Sequence, residues 1–244
     1  ALYPSEWRGL GDTMYMFIEA LNFHRSFWLS RSRDDIVEAF SSDLRDIFRE
    51  AILANLYIPL RAGMDLLVWI STDMPELIAR FRSVLRGKYG GFLGEVLSFL
   101  AVYRPSKYFP PHQDLREYVA RASKDPYDYI VAYPMKKSPE WYLLPFEERR
   151  KIMAEHASQA RSLSAGKKIR SYTAYSYGLD DNEFLVIYEL EDLEAWNIVV
   201  EKLREAQHRR WVMREEPILT GKYISLDSLK AVLSSKAEHL EKIA

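Results

Sequence analysis

The chain repeats itself, and that limits its fold. Asp65-Leu66-Leu67-Val68-Trp69-Ile70-Ser71 is a short apolar run of the kind that forms a buried strand. Thr72-Asp73 then offers a helix N-cap and Pro75 suits a first helical turn. Leu77, Ile78, Phe81, Val84 and Leu85 follow at helical spacing. The same order returns 118 positions later (67 to 185): a strand-like run from Glu183 to Glu189, a cap at Asp192, and a helix carrying Leu193, Trp196, Val199, Val200 and Leu203. Leu67 and Leu185, Val68 and Val186, Leu85 and Leu203, and Arg86 and Arg204 are identical across the offset.

The flanks extend the repeat. In the first half Thr13–Ala20 reads as a strand, a helix capped by Ser32 carries Ile36, Phe40, Leu44, Ile47 and Ala51, Leu53–Leu60 reads as the next strand, and Phe92–Tyr103 as the last. In the second half Asp128–Met135 is strand-like, a helix runs from about Pro145 to Leu163, and Ile169–Tyr177 and Pro217–Ser225 are strands. The expected class is therefore α+β. Residues 1–104 and 118–244 form two ferredoxin-like β-α-β-β-α-β halves, joined by a linker at 105–117 that holds Pro105, Pro110 and Pro111. Two such sheets either pack face to face or close into one barrel, giving a dimeric α+β barrel-type subunit.

Composition narrows the chemistry. The 244 residues include no cysteine, which excludes disulfides, thiolate metal sites and thiol nucleophiles. Lys+Arg 34 against Asp+Glu 35 leaves a formal charge of -1, so no global basic field points to nucleic acid or an anionic membrane. No apolar run reaches the roughly 18–20 residues of a membrane helix, and Ala1-Leu2-Tyr3-Pro4-Ser5-Glu6-Trp7 lacks a basic-then-apolar leader pattern. The expectation is a soluble cytoplasmic protein. Phosphate loops, dinucleotide glycine fingerprints, nucleophile elbows and EF-hands are absent from the sequence.

Two residues in the second half invite a chemical reading. Alternation along Tyr127-Asp128-Tyr129-Ile130-Val131-Ala132-Tyr133-Pro134-Met135 puts Tyr127, Tyr129, Val131 and Tyr133 on one face, with Tyr133 near the strand's end before Pro134. Tyr133 reads either as a core tyrosine or as a site residue. On the following helix Met153, His156, Ala160 and Leu163 form an apolar stripe. His156 reads either as a core histidine or as an axial ligand to a metal or haem, since neutral imidazole in a dry pocket is a good ligand. His24 and His112 read as loop residues, His208 lies among charges in a segment taken as a solvated helix face, and His239 is near the end. No pair has zinc spacing.

The ordered set Tyr133-Pro134-Met135, Lys137, Trp141-Tyr142-x-Leu144-Pro145-x-Glu147-Glu148-Arg149, Glu155-His156, Arg161 and Gly178-Leu179-Asp180-Asp181 resembles the chlorite dismutase family, and within it the coproheme decarboxylase branch. The resemblance covers residues 118–221; the first half matches by architecture. It implies a haem-type cofactor, haem or coproheme with its iron, held in the second half, and a ring oligomer, usually a homopentamer. It implies His156 as proximal iron ligand, Tyr133 as the tyrosine that becomes a radical, Lys137 and Arg121 as propionate contacts, Trp141 beside the macrocycle and Arg161 in the pocket wall. Met135, in the same motif, joins the cofactor-binding set. The implied reaction is peroxide-dependent oxidative decarboxylation of coproheme propionates to haem b, hydrogen peroxide being the oxidant. A phenol suits such a step because it gives up an electron and a proton together. Lys and Arg orient carboxylates.

Two departures stand out. The position of the distal arginine of chlorite-converting members falls on Ser171, which has no guanidinium; a one-residue slip near Ala165-Gly166-Lys167 would put Arg170 there and revive the chlorite reading. The spacing from Lys137 to Trp141 is also short by four residues. Three readings stay open: a coproheme decarboxylase, a chlorite dismutase or weak haem peroxidase, and a non-catalytic haem-binding or structural oligomer.

Overall fold

The computed structural model describes residues 13–109, 114–164 and 166–234. Its elements are β1 (Met14–Phe23), α1 (Arg25–Trp28), α2 (Arg33–Phe48), β2 (Leu53–Pro59), β3 (Leu66–Thr72), α3 (Pro75–Tyr89), β4 (Leu93–Tyr103), α4 (Leu115–Lys124), β5 (Tyr129–Lys137), α5 (Pro139–Leu143), α6 (Phe146–Ser164), β6 (Ile169–Tyr175), β7 (Phe184–Leu190), α7 (Leu193–Leu203), a 3-10 turn at Gln207–Trp211, β8 (Val212–Arg214), β9 (Leu219–Ile224) and α8 (Leu229–Leu233). His112, Pro110, Pro111, His239 and the first seven residues lie outside the described residues.

The repeat holds at the elements where it was read. β7 begins and ends 118 positions after β3, and α7 begins 118 positions after α3. The caps differ in detail. Asp192 accepts from the backbone N–H groups of Glu194 and Ala195. In the first half Met74 is the capping residue, held by its N–H to Thr72 Oγ1, and Pro75 takes the first helical position.

The sheets close into one barrel rather than packing face to face. The strand order is β7-β6-β4-β1-β3-β2-β9-β5-β8, and β5 pairs with β7 to complete the ring. The first half contributes β4-β1-β3-β2 and the second β6-β7-β5-β9. The seams are unequal: β2 and β9 pair from Leu56↔Ile224 to Pro59↔Gly221, whereas β4 and β6 meet at Val102↔Tyr175. Closure removes the free edges that an open sheet would expose. Gly221 is required at the first seam, because a Cβ there would stand 2.8 Å from Tyr57 Cβ.

Alternation gives every barrel strand two faces. The inner face packs Met14, Met16, Ile18, Trp69, Ile130, Tyr172, Leu185 and Ile187 into one core. α4 plugs its end with Leu115, Val119 and Ala122. This helix starts inside the segment read as linker: Asp114 caps it, accepting from Glu117 N. The barrel also buries a polar network, in which Tyr172 donates to Glu189 (2.7 Å) and Arg170 pairs with the same carboxylate at 3.1 Å.

Outside the barrel the two halves diverge. α2 and α3 seal the first half, Phe40, Leu44, Phe81 and Leu85 joining Phe17 of β1 in one cluster. Among the described residues the corresponding cluster of the second half is Met135, Phe184 and Val186, with partly buried Tyr133, Tyr175, Tyr188 and Val212 around it. The register makes the comparison positional: Glu19 pairs with Val68 and Tyr133 with Val186, so a carboxyl in one half stands where a phenol stands in the other.

Glu19 is fully buried, and its nearest cation, Arg82, is 3.6 Å away and engaged with Glu95 at 2.7 Å. Burial, then the Glu95 charge, raises its pKa to about 8. A carboxyl protonated in the fold and ionised when unfolded stabilises fully below the unfolded value, and that contribution fades as pH rises to the folded value. Between pH 5 and 8 the loss is on the order of a few kcal/mol. Glu19→Gln is expected to match the parent near pH 5 and exceed it near pH 8 in chemical denaturation; parallel pH profiles for the two proteins would contradict this.

Candidate functional site

The outer face of the second half gathers the suggestive residues. Antiparallel pairing sets Tyr133 opposite Val186 and Met135 opposite Phe184, and β6 adds Thr173 and Tyr175 beside the same two residues. α6 and α7 stand over this face, as the contacts of Lys137 with Met153 and of Tyr188 with Trp196 show. α6 itself fully buries only Ile152, so its Met153–His156–Ala160–Leu163 stripe is half-buried rather than locked into a core.

His156 Nδ1 is buried and has no hydrogen-bond partner. Burial, then the charge of Lys137, pushes the imidazole pKa down, so the ring is neutral and keeps a lone pair. A second histidine stacks on it: the His208 ring lies 4.5 Å away at 29° and turns an edge toward Trp141 at 6.4 Å. His208 is buried, and burial with the nearby Lys137 pushes its pKa down to about 2. The expectation that His208 lies on a solvated helix face is therefore corrected. Its segment is a 3-10 turn leading into β8, which pairs with the end of β5 at Lys136↔Arg214 and Lys137↔Val212. Arg204 and Arg209, from the same charged stretch, converge on Glu215 at 3.0 and 2.6 Å.

Lys137 is the unusual cation. It is 3% exposed, its Nζ sits 3.5 Å above the Trp141 ring, and Met153 Sδ accepts from it at 3.7 Å. Among the described residues no carboxylate lies within ion-pair distance of it; Glu183 accepts from its backbone N–H instead. Burial, followed by repulsion from Lys107 and Arg149, lowers its pKa to about 7. Arg149 Nε is itself buried without a hydrogen-bond partner. Tyr108 stacks on Phe146 (5.7 Å, 12°) in the same neighbourhood, and Arg104 covers Tyr175 at 4.6 Å. The site thus holds an unpartnered imidazole nitrogen and a group of like-charged cations beside aromatic walls. That donor set fits a metal-bearing planar anion with carboxylate arms: a neutral imidazole for the metal, cations for the carboxylates, rings for the macrocycle.

The structure brings together His156, Lys137 and Trp141, with Met135 and Tyr133 on the adjoining sheet face. Arg121 lies elsewhere, exposed on α4 and 3.6 Å from Glu117. Arg161 is exposed on α6, beyond His156. Ser171 is exposed on the outer face of β6, opposite Tyr188, and its carbonyl accepts from Tyr118. Arg170 points the other way, into the barrel, where it pairs with Glu189, donates to Asp125 O and covers Tyr127 at 3.7 Å. Sequence reasoning missed His208, Lys107 and Arg149. Arg149 lies in the quoted Glu-Glu-Arg motif; for His208 the one usable signal is Trp211 close behind it, an aromatic out of place on a solvated face.

A family model described as chlorite dismutase matches residues 33–224. A coproheme decarboxylase of Mycolicibacterium smegmatis is 30% identical over 210 residues, 84% of this chain and 88% of that protein. A coproheme decarboxylase of Thermus thermophilus is 28% identical over 187 residues, covering 73% and 70%. Among solved structures, one described provisionally as a chlorite dismutase superposes with a TM-score of 0.82 at 31% identity, over 91% of this chain and 99% of the other. A haem-binding protein from Thermus thermophilus shares the fold, with a TM-score of 0.78 at 22% identity over 91% and 96%.

Proposed function

Because the chain belongs to the chlorite dismutase family, a haem-binding oxidoreductase of the kind named in its relatives, we propose that it carries out peroxide-dependent oxidative decarboxylation of coproheme propionates. The observation that carries this reading is the buried Lys137 ammonium without a carboxylate, next to the unpartnered Nδ1 of His156. Coproheme is here the substrate and brings the redox chemistry, the two-electron oxidation by hydrogen peroxide. His156 holds the iron. Lys137, with Lys107 and Arg149 in its field, receives carboxylate arms. Trp141 supports Lys137 from below and forms one wall.

Tyr133 is the residue that moves hydrogen. Burial, then the Tyr188 hydroxyl, holds its phenol well above the usual pKa, so it enters the reaction protonated. Oxidised by one electron with loss of its proton, it takes a hydrogen atom from the propionate β-carbon. A second electron leaves the carbon radical as the C–C bond to the carboxylate breaks, giving a vinyl group and CO2. Each propionate yields two electrons and one proton, which one peroxide takes up with a further proton to become two waters.

The chlorite reading gains nothing from β6, whose Arg170 is engaged inside the barrel. The two halves, with strand orders β4-β1-β3-β2 and β6-β7-β5-β9, support a reading as ferredoxin-like units.

The test is direct: add coproheme to the apoprotein, record the Soret band, add peroxide and follow product mass. Loss of two CO2 units is expected. A Soret shift without mass loss contradicts the proposal, and O2 release from chlorite in its place favours the second reading. Lys137→Met keeps the length and removes the charge. It is expected to weaken coproheme retention about ten- to a hundred-fold, the worth of one charge-assisted hydrogen bond. Retention of the tetramethyl ester should not change; equal losses for acid and ester would contradict the assignment.

A further inference from the structure

Tyr133 opens a line of aromatic rings that the decarboxylation does not require. Its ring neighbours that of Tyr188 on the same sheet face, and the nearby Tyr188 hydroxyl adds to the burial that holds the Tyr133 phenol well above its usual pKa. The two ring centroids are 6.3 Å apart at 31°. Tyr188 in turn packs on Trp196 of α7, with centroids 4.2 Å apart at 41°. Trp196 is half-buried, near the start of a helix whose Asp192, Glu194 and Asn197 are exposed. In the first half Glu19 occupies the position of Tyr133 and cannot be oxidised at similar cost.

We infer that Tyr133, Tyr188 and Trp196 form a one-electron relay from the porphyrin site to the surface of α7, where Trp196 oxidises small reducing phenols. The inference rests on the proposed radical at Tyr133. Once Tyr133 has lost its hydrogen, its oxygen becomes an acceptor. The Tyr188 O–H turns and passes a hydrogen atom across, breaking its own O–H bond and restoring that of Tyr133. The Trp196 indole then gives an electron to Tyr188. Its Nε1 proton leaves to solvent, and the Tyr188 phenolate regains a proton from solvent. The indolyl radical finally takes a hydrogen atom from an external phenol, which leaves as a phenoxyl radical. The oxidant throughout is hydrogen peroxide. The relay gives an oxidising equivalent an exit when no propionate is left to consume it.

The same contact runs in reverse without porphyrin, which gives a test independent of turnover. In the apoprotein, azide radicals from pulse radiolysis oxidise tryptophan. Part of the tryptophanyl absorbance should convert to tyrosyl absorbance at a rate independent of protein concentration. Tyr188→Phe and Trp196→Phe should each lose that component, and Trp196→Tyr should retain early tyrosyl absorbance. Conversion equal to the parent's in both Phe variants overturns the relay. In the coproheme-loaded protein, peroxide with a nitroso spin trap should label Trp196, and Tyr188→Phe should lose that label. A protein that decarboxylates but labels Trp196 equally in Tyr188→Phe overturns the relay and leaves the decarboxylase reading standing. Apoprotein conversion without any CO2 release keeps the relay and defeats the decarboxylase reading.

Discussion

Tyr133→Phe is expected to bind coproheme as the parent does and to release no CO2 above the uncatalysed background. The substitution deletes one oxygen and leaves the ring in its place opposite Val186. Phenylalanine has no O–H from which an electron and a proton can leave together, so the hydrogen-abstracting group is lost while iron ligation through His156 and the cations around Lys137 remain. The structural cost is small, because the ring keeps its contacts with Val186 and Tyr188. The check is a pair of measurements on one sample: the Soret band on coproheme addition and the porphyrin mass after peroxide. Continued loss of CO2 would remove Tyr133 from the mechanism.

His156→Ala should remove the bond between the iron and His156. The Nδ1 is buried without a hydrogen-bond partner, and burial, then the charge of Lys137, lowers the imidazole pKa and keeps the ring neutral. His208 complicates the single variant, since its neutral ring stands 4.5 Å away. The expected series is loss or alteration of the iron–histidine stretching band in His156→Ala, complete loss in the double variant with His208→Ala, and recovery on adding imidazole. An unaltered band in the double variant would end the assignment of His156 as the ligand.

Much of the barrel was legible because it is repetitive. The strand–cap–helix order at Leu66–Tyr89 and again at Phe184–Leu203 follows from local patterns that each carry their own signal, apolar runs and capping residues. Barrel closure is not legible in the sequence, because it depends on the seams β2–β9 and β4–β6, which no local pattern encodes. α4 was hidden by the prolines before it, although Asp114 and Glu117 form a readable helix start.

The placement of the candidate residues is legible where a residue's own element aims it. His156 on its stripe and Tyr133 on its strand face follow from periodicity alone. Lys137 was legible only by family resemblance; its burial comes from Trp141 and Met153, which reach it from two separate helices. His208 and Lys107 arrive from segments whose sequence looks like solvated surface. Arg121, Arg161 and Ser171 show the converse: their motif positions match, yet the fold leaves them exposed, with Arg121 held to Glu117. Arg170 and Ser171 are adjacent, and alternation alone separates a guanidinium paired with Glu189 inside the barrel from a hydroxyl outside it.

The most direct test of the central claim is a single-turnover titration of the coproheme-loaded protein with hydrogen peroxide, read by porphyrin mass. The chemistry above predicts one CO2 lost per peroxide consumed, two in all, ending at the divinyl product with the macrocycle intact. Consumption of peroxide with the porphyrin mass unchanged, or with the macrocycle destroyed before any CO2 is lost, would contradict it.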